Sequence, residues 1–453
     1  MRLLEILLIV TNLLVLFLPR SNRRYAAITL LILATLHWVI EGSRWQMSPV
    51  YLAVALTALY FLFDWSVARG WVGALGAGAT ILLLLIGLGL GNLFPIIKLA
   101  PLTGNYQVGS MTLHLTDEAR EEIYSAETND KRNLVVNIWY PADVTNEPLA
   151  PYMPNPEIGA PAIARDFGLP SFILTHAALV KTRSHVSPPA TDGTFPVIFF
   201  SHGLGGIRTQ NVQMVEELVS QGYIVVAPDH AYAAAYTVFR DGRVAIYDRS
   251  IIAWDTPREN AEVKQLVSVW ASDFQFLLRQ LDQFNADQTH LLFGKMQLEQ
   301  VGIFGHSTGG GTSFEFCYRE PRCAGAIGLD PWVIPVSDVA VAEGLDKPAL
   351  TLRNPEGLTD PKNTPRIIEL HQASAGNRGD WIIEGTKHFD YTDFKQLSRA
   401  LTWVGMTGEI PAEEIRDLQD ESLLAFFEAV FHGGDWERLR EISAKYASIQ
   451  PQD

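Results

Sequence analysis

A serine flanked by glycines, Gly305-His306-Ser307-Thr308-Gly309, is the first group in this chain that could do chemistry. It follows the apolar, strand-like run Gln300 to Phe304 and precedes Gly310-Gly311, which can open a helix. A strand-to-helix turn this sharp strains the serine backbone and leaves no room for side chains two residues either side, where Gly305 and Gly309 stand. A serine so presented can attack a carbonyl, provided that a base, an orienting acid and oxyanion donors reach it. Upstream, the apolar run Phe195 to Phe200 leads into Ser201-His202-Gly203-Leu204-Gly205-Gly206. Backbone N–H groups exposed at the end of such a strand can receive an oxyanion, and Leu204 and Thr308 are the expected donors. Downstream, Asp330 ends the apolar run Ala324 to Leu329, and His388 follows the strand-like Trp381 to Glu384 through Gly385-Thr386-Lys387. These positions predict Ser307 as nucleophile, Asp330 as acid and His388 as base. Asp360 competes for the acid, because it follows the strand-like Ala349 to Arg353.

The elements between these residues alternate in type. After Gly206 comes a helical pattern, Val212 to Ser220, then the buried strand Gly222 to Pro228, ending in Asp229-His230. Strands alternating with helices predict a parallel sheet with helices on its faces, an α/β architecture. The order serine, acid, histidine along the chain is that of an α/β-hydrolase. His202 and His306 read as braces of the elbow, Asp229-His230 as structural or pocket lining, and Asp338 and Asp346 as solvated loop charges. The proline-rich stretch 141–194 forms either a lid beside the site or a long surface connection, and Tyr232 to Arg258 has the same two readings. Glu421 to His432 has helical apolar spacing and closes the domain, with a charged surface helix after Trp436. No internal repeats occur.

At 453 residues the chain exceeds one typical domain, and the surplus is at the amino end. Four apolar stretches, near Leu3 to Leu18, Tyr25 to Ile40, Pro49 to Phe63 and Gly70 to Phe94, approach or exceed the ~20 residues that cross a bilayer. Trp38, Trp45, Trp65 and Trp71 fall near their ends, as interfacial anchors do. Residues 1–100 are therefore expected to form a domain of about four transmembrane helices, and 101–453 the catalytic domain. Arg20, Arg23 and Arg24 should hold the first loop in the cytoplasm, so four spans put the catalytic domain outside with the amino terminus. The whole chain carries −15, of which +4 lies before Asn105, leaving −19 on the remainder. So acidic a domain disfavours nucleic acid and anionic lipid as partners, and the spans must hold the membrane. The only two cysteines, Cys317 and Cys323, could pair in an extracytoplasmic domain. No cluster with metal-ligand spacing appears, and the expected reaction needs neither metal nor cofactor.

From about Gly104 to Phe431 the chain resembles the secreted and type II platelet-activating-factor acetylhydrolases and their bacterial relatives. The resemblance rests on Ser-His-Gly-Leu-Gly at 201–205, Gly-His-Ser-x-Gly-Gly at 305–310, Leu-Asp-x-Trp at 329–332, and His388 followed by Asp393-Phe394. Val108-Gly109, Thr112 to Asp117 and Trp139-Tyr140-Pro141 look like the family's opening strands. It implies Ser307, Asp330 and His388 as the triad, Leu204 and Thr308 as oxyanion donors, and hydrolysis of short acyl esters of phospholipids or similar amphiphiles. Thr308 departs from the phenylalanine of the animal enzymes, which leaves the acyl preference open. A broad carboxylesterase, polyesterase or acyltransferase with the same triad is a second reading, and a catalytically silent membrane lipid sensor a third. Oligomeric state is not legible.

Overall fold

Apolar strands from Gln107 onward assemble into one eleven-stranded sheet. The computed structural model describes residues 1–62, 71–357 and 361–452. The strands are β1 (Gln107–Glu121), β2 (Lys131–Ala142), β3 (Leu149–Pro151), β4 (Lys181–Val186), β5 (Phe195–Ser201) and β6 (Ile224–Asp229), with β7 (Tyr236–Val238) and β8 (Val244–Ile246) as a separate ribbon. They continue with β9 (Met296–His306), β10 (Cys323–Leu329), β11 (Ala349–Arg353), β12 (Asn377–Ile383) and β13 (Ile449–Gln452). The sheet order is β13-β12-β11-β10-β9-β5-β6-β2-β1-β4-β3. The block β12-β11-β10-β9-β5-β6 is parallel. β5, β6 and β11 are buried along their whole length, and β9 from Val301 on, because helices cover both faces. On one face Phe274 and Phe316 pack on Phe199, and on the other Phe427 meets Phe304.

Sequence periodicity placed β5, β6, β10, β11 and the helix Val212–Ser220 within a residue or two. It did not show the helix Glu259–Ala286, nor β13, which returns after the surface helix Glu437–Lys445 to pair antiparallel with β12. The proline-rich stretch is more ordered than its composition suggests, with β3, the helix Pro156–Asp166, a 3-10 turn over Thr175–Leu179, and β4. Cys317 and Cys323 are joined in a disulfide.

The amino-terminal helices run Leu3–Val15, Arg23–Leu36, Ser48–Leu62 and Trp71–Leu93, and their inward faces share an apolar cluster including Leu8, Ala27, Leu30, Val54 and Leu84. Among the described residues, three segments are long and apolar enough to cross a membrane: Arg23–Glu41, Trp45–Leu62 and Gly73–Leu93. The expectation of four falls short at the first helix. Its 13 residues rise only ~20 Å at 1.5 Å per residue, against ~30 Å of hydrocarbon. The expected end of the third stretch at Phe63, and Asp64, Trp65 and Arg69, lie outside the described residues, as does Asp360.

The two ends of this bundle differ. At one end Arg44 grips both Glu5 carboxylate oxygens at 2.7 Å and donates to the Phe94 carbonyl at 2.9 Å, while Arg2 also bonds Glu5. At the other, the Arg23 guanidinium lies over the Phe61 ring. The hydrolase sheet is joined at the Arg44 end.

Candidate active site

Ser307 sits where β9 ends and the helix Thr308–Arg319 begins, at the carboxyl edge of the parallel sheet. Its backbone has φ 56° and ψ −120°, a conformation that side-chain-bearing residues rarely take. A Cβ on Gly309 would lie 2.1 Å from the Ser201 carbonyl, and one on Gly305 2.3 Å from the Gly309 carbonyl. Backbone approach therefore requires both glycines. Asp330, at the end of β10, also has positive φ (44°) and is 2% exposed at its side chain. His388, at the end of the Gly385–Lys387 turn after β12, donates from Nδ1 to Asp330 Oδ2 at 2.5 Å. Burial pushes the Asp330 carboxyl up, but the His388 bond and charge and the Asn354 N–H outweigh it and hold the group below its usual value. Asn354 donates from its backbone to Oδ1 at 3.1 Å and from Nδ2 to Oδ2 at 2.7 Å. The rival acid Asp360, expected after β11, lies outside the described residues. The residue immediately after β11 orients Asp330.

Ser307, His388 and Leu204 line one cavity of about 160 Å³, small against the ~300–1,000 Å³ usual for drug-sized ligands. Phe167, Phe389 and Phe394 pack together on one wall and Tyr152, Met153, Leu174 and Leu397 close it, while Asp166, Thr209, Gln210, His306 and Thr392 add polar groups. The proline-rich stretch thus contributes directly to the pocket. Among the described residues, no hydrogen bond within the chain uses the N–H of Leu204 or Thr308. Thr308 opens its helix, where unbonded N–H groups and the positive end of the helix dipole coincide. The Thr308 side chain itself is buried, is not part of the pocket wall, and its Oγ1 has no partner.

His306 joins three parts of this site. Its Nε2–H donates to the His388 carbonyl at 3.0 Å, and its Nδ1 accepts from Gln210 Nε2 at 3.0 Å. Gln210 Oε1 in turn accepts the Gly203 N–H at 3.3 Å. Burial, then the His388 charge, lowers the His306 ring to about 3, so it is a neutral strut.

Beneath the loop that carries Leu204 lies a second serine-histidine-aspartate array. Ser201 Oγ–H donates to His230 Nε2 at 3.2 Å, and His230 Nδ1–H donates to Asp273 Oδ2 at 2.8 Å. All three are 0% exposed. His230 stacks on Trp270 with ring centroids 4.1 Å apart, and its N–H donates to His202 Nε2, whose Nδ1–H reaches the Gly203 carbonyl. Burial lowers His230 to about 3 despite Asp273. Burial raises the Asp273 carboxyl, but Arg132 at 2.7 Å, the His230 bond and Arg120 more than reverse this. The reading of His202 as a brace agrees with these contacts, and of the two readings of His230 the structural one does, since it does not line the pocket. Asp273 and Arg132 had no sequence signal beyond an acid within an apolar helix and a cation in an apolar strand.

Away from the pocket, Glu5, His37 and Glu41 bring potential metal-ligand atoms within 4.8 Å of one another, a grouping that sequence spacing did not suggest. Arg44 and Arg2 already neutralise Glu5 there.

The parallel sheet, the strained serine at its carboxyl edge and the histidine-aspartate pair define an α/β-hydrolase. A ferulic acid esterase from Streptomyces cinnamoneus superposes with a TM-score of 0.65 at 23% identity, covering 79% of this chain and all of that one. Residues 93–438 match the family described as platelet-activating factor acetylhydrolase, isoform II. The chain belongs to that family and is an ester hydrolase. It is similar to the platelet-activating factor acetylhydrolase of Cavia porcellus, 27% identical over 68% of this chain and 74% of that protein. With the Gallus gallus enzyme of the same name it shares 25% identity over 52% of this chain and 61% of the other.

Proposed function

We propose that the chain is a membrane-anchored serine hydrolase that cleaves short acyl esters of phospholipids or similar amphiphiles, with residues 1–100 as anchor and 101–453 as catalytic domain. The observation that carries this reading is the 2.5 Å bond from His388 to buried Asp330 in the same pocket as strained Ser307. Ser307 Oγ attacks the ester carbonyl as His388 Nε2 takes its proton, while Asp330 holds the imidazole and stabilises its cation. The N–H groups of Leu204 and Thr308 receive the oxyanion. His388 returns the proton to the departing alcohol, then activates the water that hydrolyses the acyl-enzyme. The 160 Å³ volume favours a short acyl group.

The hydrolase lies outside whether or not the short first helix crosses. Arg20 precedes the second helix and Arg23 and Arg24 open it, so with that end cytoplasmic the remaining three spans leave the hydrolase outside. A Cys317–Cys323 disulfide suits that oxidising side. The test is fluorophosphonate labelling of intact membranes with a reporter fused after Asp453. Label on the Ser307 peptide and an extracytoplasmic reporter are expected; label elsewhere sinks the serine assignment, and a cytoplasmic reporter the orientation.

A further inference from the structure

The bundle packs against the wall of the active-site pocket. Trp45 Nε1–H donates to the Ile173 carbonyl at 3.2 Å, and its ring meets Phe94 and Phe172, each with centroids 5.2 Å apart. Ser398 Oγ and the Arg399 N–H both donate to the Leu93 carbonyl at 2.9 Å. The chain leaving the last helix, through Ile97 and Leu99, joins the same apolar cluster as the pocket residues Tyr152, Met153, Leu174 and Leu397. The segments that close the pocket are thus the segments that hold the bundle.

On the far side of the Thr175–Leu179 turn lies a second cavity, of about 740 Å³. Leu174 faces the ester pocket, whereas Thr175, His176 and Ala178 face the larger space. His176 Nε2 bonds the Leu397 carbonyl at 3.2 Å and ties this partition together. The opposite wall is the lipid-length helices themselves, with Leu31, Ala34, Val54 and Ala55, while Ser43 and Ser48 make one region polar. Trp38, also on its lining, is 67% exposed, and the adjoining Val39 and Ile40 are 78% and 68% exposed.

We infer that this cavity binds the long hydrocarbon chain of a bilayer phospholipid, while the short ester it carries occupies the Ser307 pocket. The inference rests on the membrane placement proposed above. A pocket of 160 Å³ cannot take both parts of such a substrate, and the 740 Å³ space falls within the ~300–1,000 Å³ of usual ligand sites. Leu31, Ala34, Val54, Ala55, Ala178 and Leu179 give it the apolar surface that a hydrocarbon chain needs, and the Arg44, Thr35 and Tyr51 side chains are among its polar groups on the bundle side.

The test uses the full chain in phosphatidylcholine nanodiscs. Ala178→Trp and Ala34→Trp fill the cavity from opposite walls without touching the ester pocket. Each should lower kcat/KM on a bilayer-embedded short-acyl phospholipid at least tenfold and leave p-nitrophenyl acetate turnover unchanged. In the Ser307→Ala protein, phosphatidylcholine carrying a diazirine in its long chain should label peptides from 31–55 and 175–179. Undiminished lipid turnover in both tryptophan variants, or labelling confined to other peptides, overturns the cavity assignment. Release of the protein by alkaline carbonate instead overturns the membrane placement itself, and this inference with it.

Discussion

Two serine-histidine-aspartate arrays stand close together at the carboxyl edge of one sheet. In the first, Ser307 has a strained backbone, shares a cavity with the 26%-exposed His388 ring, and draws its acid from the next strand. In the second, Ser201, His230 and Asp273 make the better hydrogen-bonded chain and are wholly enclosed. Connectivity among a serine, a histidine and an aspartate therefore does not distinguish chemistry from architecture. Under the proposed mechanism, access, backbone strain and nearby unbonded N–H groups do. The sealed array braces the end of β5 against the end of β6, which holds the loop carrying Leu204 in place.

Exchanging equivalent substitutions between the arrays tests this distinction. The largest effect is expected for Ser307→Ala, which should remove esterase turnover by ~10⁴-fold or more, whereas Ser201→Ala should change kcat by less than about threefold. Equal losses would make the second array part of the chemistry. Asp330→Asn should cost ~10⁴ in kcat by misorienting His388, with little change in melting temperature. Asp273→Asn should do the reverse. It leaves Arg132 under-compensated in the interior and should cost ~3–5 kcal/mol of stability by denaturant titration, with turnover per folded molecule largely kept.

The smallest effect concerns pH. Burial holds folded His230 near 3, below the unfolded value of 6.5, so the unfolded state binds the extra proton between those values. The stability His230 contributes is complete above pH 6.5 and is lost as pH falls toward 3. The stability gap between wild type and His230→Asn should therefore narrow on acidification from pH 6.5 to 4, by ~1.4 kcal/mol per pH unit at most. A constant gap would mean that the ring is already charged in the fold.

Much of this molecule is legible in its sequence because the signals are local. The elbow needs glycines at fixed offsets from Ser307, buried parallel strands must be continuously apolar, and lipid-length helices must be long apolar runs. Asp330 and His388 are proposed from sequence because active residues gather at strand ends, and the fold joins the two by a hydrogen bond. Partners set by contacts between distant segments were not legible. Asn354 meets Asp330, Asp273 meets His230, and Trp45 meets Ile173 only after the sheet orders its strands and the bundle docks. The first helix looked long enough because apolar residues continue to Leu18, but the backbone leaves the helix after Val15. The spans also looked separable from the catalytic domain, since every proposed active residue lies between Leu204 and His388. Only tertiary structure shows that the two are in contact. An apolar pocket wall must be covered on its outer side, and in this fold residues 93–99 and the Trp45 turn cover it.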